Sequence, residues 1–124
     1  STQSRSSAAS DVYKRQPQID AVFSMDDETS IGALQAIRDA GRTDIKVITG
    51  GGGCQEWFNM MLADENQDIW LQSDLYSPVM VEDAVDMALD ILNGNAPEDP
   101  VKIIPTERVD RENAADYLDE NSPY

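Results

Sequence analysis

Residues 19–53, IDAVFSMDDETSIGALQAIRDAGRTDIKVITGGGG, limit what this chain can fold into more than any other stretch. An apolar run at residues 21–25 is followed at once by Asp26, Asp27 and Glu28. Ile31, Leu34 and Ile37 then recur at helical spacing, with Ala33, Ala36 and Ala40 widening the stripe. Asp27 is expected to cap that helix, and Gly41 stands where a left-handed residue ends one. A second apolar run, residues 45–49, empties into four consecutive glycines, Gly50 to Gly53. The unit reads strand–helix–strand, with polar or glycine residues at both strand exits. In open α/β sheets ligands bind in the crevice beyond the carboxyl ends of the strands. Asp26 and the glycine loop both fall on that edge.

The rest of the chain continues the alternation. Residues 54–63 read as a short helix with Trp57, Phe58, Met61 and Leu62 apolar, and residues 64–67 as a polar turn. Residues 68–73 carry Ile69, Trp70 and Leu71, a third strand that runs out at Asp74. Ser77 and Pro78 form an N-cap with proline at the first helical position. Val81, Ala84, Val85, Ala88, Leu89 and Leu92 then mark the most regular helix, which stops at Asn93–Gly94. Its polar face holds Glu82, Asp83, Asp86 and Asp90 with no base, so packing must supply its stability. Residues 101–104 predict a fourth strand before Pro105, and residues 110–118 a last short helix. Strands alternating with helices give an α/β fold: a parallel sheet with flanking helices and right-handed crossovers.

Residues 1–16, STQSRSSAASDVYKRQ, show no apolar period and are expected to lie outside the fold, disordered. Residues 11–16 are also what the transposon-end adapter GATGTGTATAAGAGACAG encodes in frame. The segment is therefore expected to be a read-through artefact, with natural sequence beginning at Pro17 in mid-gene.

Charge and composition narrow the function. Acidic residues outnumber basic ones 24 to 9, histidine is absent, and the net charge is −15. Binding to nucleic acid or to an anionic membrane surface needs the opposite balance. One cysteine allows no internal disulfide and no thiolate zinc site. Cys54 begins a helix, but no histidine is present to act as its base, so no catalytic role is assigned. No apolar run has the length of a membrane span. No catalytic residue, metal site or cofactor is expected.

Several positions on the strand exits are candidates for ligand contact. Adjacent carboxylates at a strand end suit a magnesium ion, a sugar's hydroxyls or a helix cap. With Asp27 read as the cap, Asp26 is the residue expected to face the crevice. The glycine loop sits where a phosphate loop would, but it lacks the Lys–Ser/Thr of a P-loop, and Gln55 replaces the last glycine of a dinucleotide fingerprint. Its firmer meaning is a close backbone approach or a positive φ. Asp74 is the third acid on this edge, and Tyr76 is the aromatic expected to be exposed there, able to stack on a sugar ring. Trp57, Phe58 and Trp70 are expected in the core. MDDE and DIWLQSDLYSP also resemble the acidic pocket of a response-regulator receiver, with Asp74 as phosphoacceptor. That reading lacks its lysine: none follows Lys102, and no fifth strand follows either.

A better resemblance spans residues 17–124. IDAVFSMDDETSIGALQAIRDAGRTDIKVITG, then WLQSDLYSPVMVEDAVDMALDILNG, then VKIIPTERVDRENAADYL follow in order the second lobe of type I periplasmic binding proteins. These are the ribose/galactose-like receptors of ABC importers. The resemblance implies part of one lobe of a two-lobed receptor that traps a monosaccharide outside the cytoplasm, in the periplasm or at the membrane's outer surface, and delivers it to an importer permease. In it, Asp26 matches an Asn or Asp that hydrogen-bonds sugar hydroxyls. Gly51 falls where ribose receptors carry a ligand-binding Asp in a G-F-D-G-like loop, a contact that Gln55 or the loop amides are expected to replace. Asp74, across a one-residue gap, matches a Gln, Asp or Asn of the strand near the hinge. The helix at residues 77–94 would pack on the first lobe. The same fold serves as the effector domain of LacI-type repressors; the RTDIKV loop and the acidic carboxyl-terminal segment favour the receptor.

Overall fold

The computed structural model describes residues 16–76, 80–99 and 101–122. Three parallel strands lie side by side in chain order: β1 (Ala21–Phe23), β2 (Val47–Gly51) and β3 (Trp70–Leu75). Helix α1 (Asp27–Asp39) joins the first two and α2 (Gln55–Leu62) the next two. Right-handed crossovers between sequential neighbours put both helices on one face of the sheet. The core lies under them: Leu34 and Ile37 of α1, Trp57, Phe58 and Met61 of α2, and Ile48 and Leu71 of the sheet are all buried. Gly41 takes φ +61, as the end of α1 requires. Ala36 and Ala40, expected to widen the buried stripe, are exposed.

The sheet is mixed rather than purely parallel. Its fourth strand, β4 (Glu107–Asp110), pairs antiparallel with β3, Gln72 facing Asp110 and Asp74 facing Arg108. The expected strand at residues 101–104 does not form; Val101 and Ile103 there are exposed. The difference comes from burial: Val109, fully buried, is the apolar side chain of this segment that reaches the core. Beyond β4 the predicted final helix is a 3₁₀ turn, Ala114–Tyr117, with Tyr117 tilted against Phe58.

Trp70 also departs from expectation. It alternates away from Leu71, onto the sheet face opposite α1 and α2, where it is half-buried under the Arg111 guanidinium, 4.8 Å from its ring centroid. Arg111 further donates to the carbonyls of Gln67 and Ile69, tying the segment after β4 to the start of β3. Arg38, in the last turn of α1, grips the turn before β3 through both oxygens of Asp68 and the carbonyl of Glu65.

Helix α3 (Met80–Leu92) buries none of its residues. Val81, Val85, Leu89 and Leu92 are 61%, 53%, 51% and 82% exposed, so its apolar stripe has no cover among the described residues. Gly94 ends it at φ +82, where the sequence places the stop. The expected Ser77–Pro78 cap and residues 1–15 lie outside the described residues.

Candidate functional site

The site is built at the carboxyl ends of β1, β2 and β3. The cap expected of Asp27 is made by Asp26, and Asp27 is buried instead. Asp26 is the N-cap of α1: its backbone is extended and its Oδ1 accepts from the Thr29 amide at 2.7 Å. Hydrogen bonding from Thr29 holds its carboxyl below the ordinary range. Asp26 is still only partly covered, and the cap uses one of its two oxygens. Asp27 is the first helical residue and is fully buried. Its Oδ2 accepts from the amides of Gly53 and Cys54, each at 2.9 Å, and from Ser73 Oγ at 2.8 Å. A cap must keep extended backbone dihedrals, so one of two adjacent acids takes the cap. The next enters the helix, where its side chain turns inward.

The glycine loop divides by the space around each residue. A Cβ on Gly50 would overlap Asp27 Oδ1 and lie 2.7 Å from Ser30 Oγ. Gly52 and Gly53 take φ +115 and +97, and a Cβ on Gly53 would strike Leu75. Gly51 has neither restriction. A Cβ there would meet the Asp74 carbonyl and Tyr76 Cε1 at 3.5 Å and the Met25 carbonyl at 3.6 Å, ordinary contact distances. Gly51 therefore sits at the meeting point of all three strand ends. It is paired in register with Asp74, and the Gly52 amide donates to the Asp74 carbonyl at 3.1 Å.

Asp74 is exposed and Tyr76 is 40% exposed. Arg108, opposite Asp74 on β4, is turned to Asp110 at 3.2 Å. The structure thus brings together Gly51, Asp74 and Tyr76, with Asp26 one residue beyond Met25. Gln55 is not in this group. Its amide nitrogen donates to the Tyr117 carbonyl and its oxygen accepts from the Asp119 amide, so both ends hold the carboxyl-terminal segment to α2. Sequence reasoning missed Phe23 and Met25, 80% and 77% exposed at the same edge, because an apolar run reads as strand interior. The surface grooves beside α1 and α2 or beneath α3 include neither Asp26, Gly51 nor Asp74. The group forms an open ledge with carboxylate acceptors and one aromatic edge around a buried Gly51. Such a surface suits hydroxyl groups. Among the described residues no set of three or more acidic, cysteine or histidine side chains is placed to hold a metal ion.

Comparison with known proteins agrees with this architecture. A family model described as a periplasmic binding protein domain matches residues 1–96. A xylitol-binding protein of Mycolicibacterium smegmatis is 32% identical over 92 residues, covering 72% of this chain and 25% of that protein. The periplasmic binding protein component of the arabinose ABC transporter from Shewanella sp. ANA-3, solved with α- and β-L-arabinofuranose, superposes with a TM-score of 0.63. It is 30% identical, and the match covers 85% of this chain and 34% of that one. A crystal structure from Mycobacterium smegmatis, 24% identical with a TM-score of 0.59 over 82% of this chain and 33% of the other, shares the fold. The chain spans a quarter to a third of the length of these proteins. With the matched family model covering most of its length and the fold in accord, the chain belongs to the periplasmic binding protein family.

Proposed function

We propose that this chain is part of the second lobe of an extracytoplasmic receptor that captures a monosaccharide or related polyol for an ABC importer. The observation that carries the reading is the ledge at Gly51, where Asp74, Tyr76 and the end of β1 beside Asp26 converge. Asp26 and Asp74 would accept hydrogen bonds from hydroxyls, and Tyr76 would lie against a ring face. The relatives' names, one a xylitol-binding protein and one an arabinose transporter component, point to the same ligand class. The bare apolar stripe of α3 supports packing of the first lobe on this one. The family favours a periplasmic or outer-surface location. No helix among the described residues is long and apolar enough to cross a membrane.

Because one lobe supplies half of an enclosing cleft, titration calorimetry should separate the chain from the receptor. The full-length protein is expected to bind one of a panel of pentoses, hexoses and their alditols, and the 124-residue chain to bind none of them measurably. Micromolar binding by the chain alone would refute the two-lobe reading; no binding by the full-length protein would refute the ligand class.

In the full-length receptor, Asp26→Ala should weaken sugar binding by about 1–3 kcal/mol, through the partner hydroxyls it leaves unpaired. It should also cost about 1 kcal/mol of stability as the cap is lost. Asp26→Ser keeps a capping oxygen without the reach. It should therefore lose affinity at nearly full stability, measured by calorimetry and thermal melting in parallel. Unchanged affinity in both variants would remove Asp26 from the site.

A further inference from the structure

Asp27 is a fully buried acid that the ligand ledge does not use directly, and its surroundings give it a specific task. Three donors converge on Oδ2: the Gly53 and Cys54 amides from the β2–α2 loop, and Ser73 Oγ from β3. Asp27 itself lies in the first turn of α1, and Cys54 is the N-cap of α2, whose own side chain makes no capping bond. The carboxylate therefore stands at two helix amino termini at once. Their amide dipoles make up for the missing basic partner, so an acid is tolerated in this core. On its other side, Oδ1 has no hydrogen-bond partner among the described residues and abuts Gly50, where a Cβ would overlap it.

Asp26, Gly51 and Asp74 each lie within two positions of one of these attachments. Asp26 precedes Asp27 in the chain. Gly51 is separated from the bonded Gly53 by a single residue. Asp74 follows Ser73, whose side chain points inward to Asp27 while its own points outward, as alternation along a strand dictates. One side chain thus fixes the exits of β1, β2 and β3 relative to one another. We propose that Asp27 is the positioning residue of the ligand site, setting the mutual geometry of Asp26, Gly51 and Asp74 without touching the ligand. The proposal rests on the sugar-receptor reading for its effect on affinity. The coupling of the three strand ends stands apart from it.

The test compares Asp27→Asn and Ser73→Ala with wild type in the full-length protein. Residue-resolved amide hydrogen exchange and sugar titration are both run at a temperature where melting curves show each protein folded. Asn keeps one acceptor oxygen for the three donors but loses the negative charge that strengthens those bonds. Asp27→Asn is therefore expected to speed exchange together at residues 51–55 and 73–76, with Ile48 and Leu71 unchanged, and to raise the Kd about tenfold. Ser73→Ala removes one bond of three and should give the same pattern with a Kd raised about threefold. It carries the test if Asp27→Asn does not fold. Faster exchange by one common factor throughout, or confined to Gly53 and Cys54, with Kd unchanged, would reduce Asp27 to a structural residue and overturn the proposal. Since exchange needs no ligand, a wild type that binds no sugar would remove the receptor reading while the exchange pattern still decides the coupling.

Discussion

Trp57→Ala is expected to destabilise the chain by about 3–5 kcal/mol, the largest loss of any single side chain. Trp57 is completely buried in the first turn of α2 and is the largest side chain in the core. Its indole Nε1 also donates to the Gln72 carbonyl of β3 at 3.1 Å, pinning helix to sheet. Truncation removes the apolar area, leaves a cavity that the surrounding Ile and Leu residues cannot fill, and orphans a carbonyl. Domains of this size are stable by only about 5–15 kcal/mol in all, so the loss would consume a large part of the total. Trp57→Phe keeps most of the volume and loses the hydrogen bond, and should cost about half as much. Urea denaturation of both variants checks the ranking; equal losses would assign the whole effect to the indole bond and contradict the cavity's share of it.

Next in size is Gly50→Ala, expected to cost about 3 kcal/mol, while Gly51→Ala, one residue away, changes stability by less than about 1 kcal/mol. The two substitutions add the same methyl group to the same strand. At position 50 the methyl would overlap Asp27 Oδ1, and Asp27 cannot move aside because Oδ2 is held by Gly53, Cys54 and Ser73. At position 51 its neighbours lie at ordinary contact distance. Thermal melts of the pair test the placement of Asp27 directly: equal melting temperatures for Gly50→Ala and Gly51→Ala would contradict it.

Much of this was legible from periodicity and punctuation. The Ile31–Leu34–Ile37 stripe, the Gly41 stop, the helix carrying Trp57 and Phe58, and the uncovered stripe of Val81, Val85, Leu89 and Leu92 are all where the sequence puts them. These are local signals, or apolar faces whose partner is either present or missing. Long-range pairing was harder to read. Val101, Ile103 and Ile104 look more like a strand than Glu107–Asp110 does. Propensity cannot show that Val109 alone reaches the core, or that the returning chain runs antiparallel to β3. In the site, residue types identified the edge and placed Asp74 and Tyr76 on it. The division of labour between Asp26 and Asp27 depends on which residue carries the extended cap dihedrals, a choice that adjacent identical side chains do not reveal. Gln55 was misread for a related reason. It stands at a loop that faces the crevice, yet its partners, Tyr117 and Asp119, lie more than sixty residues away in the chain.

The central claim is that the carboxyl ends of β1–β3 form one wall of a sugar-binding cleft. A crystal structure of the full-length protein with its bound sugar tests this. It should show Asp26 and Asp74 within hydrogen-bond distance of ring hydroxyls, the ring over the Gly51 backbone beside Tyr76, and Asp27 still bonded to Gly53, Cys54 and Ser73. A sugar bound away from Asp26, Gly51 and Asp74 would contradict it.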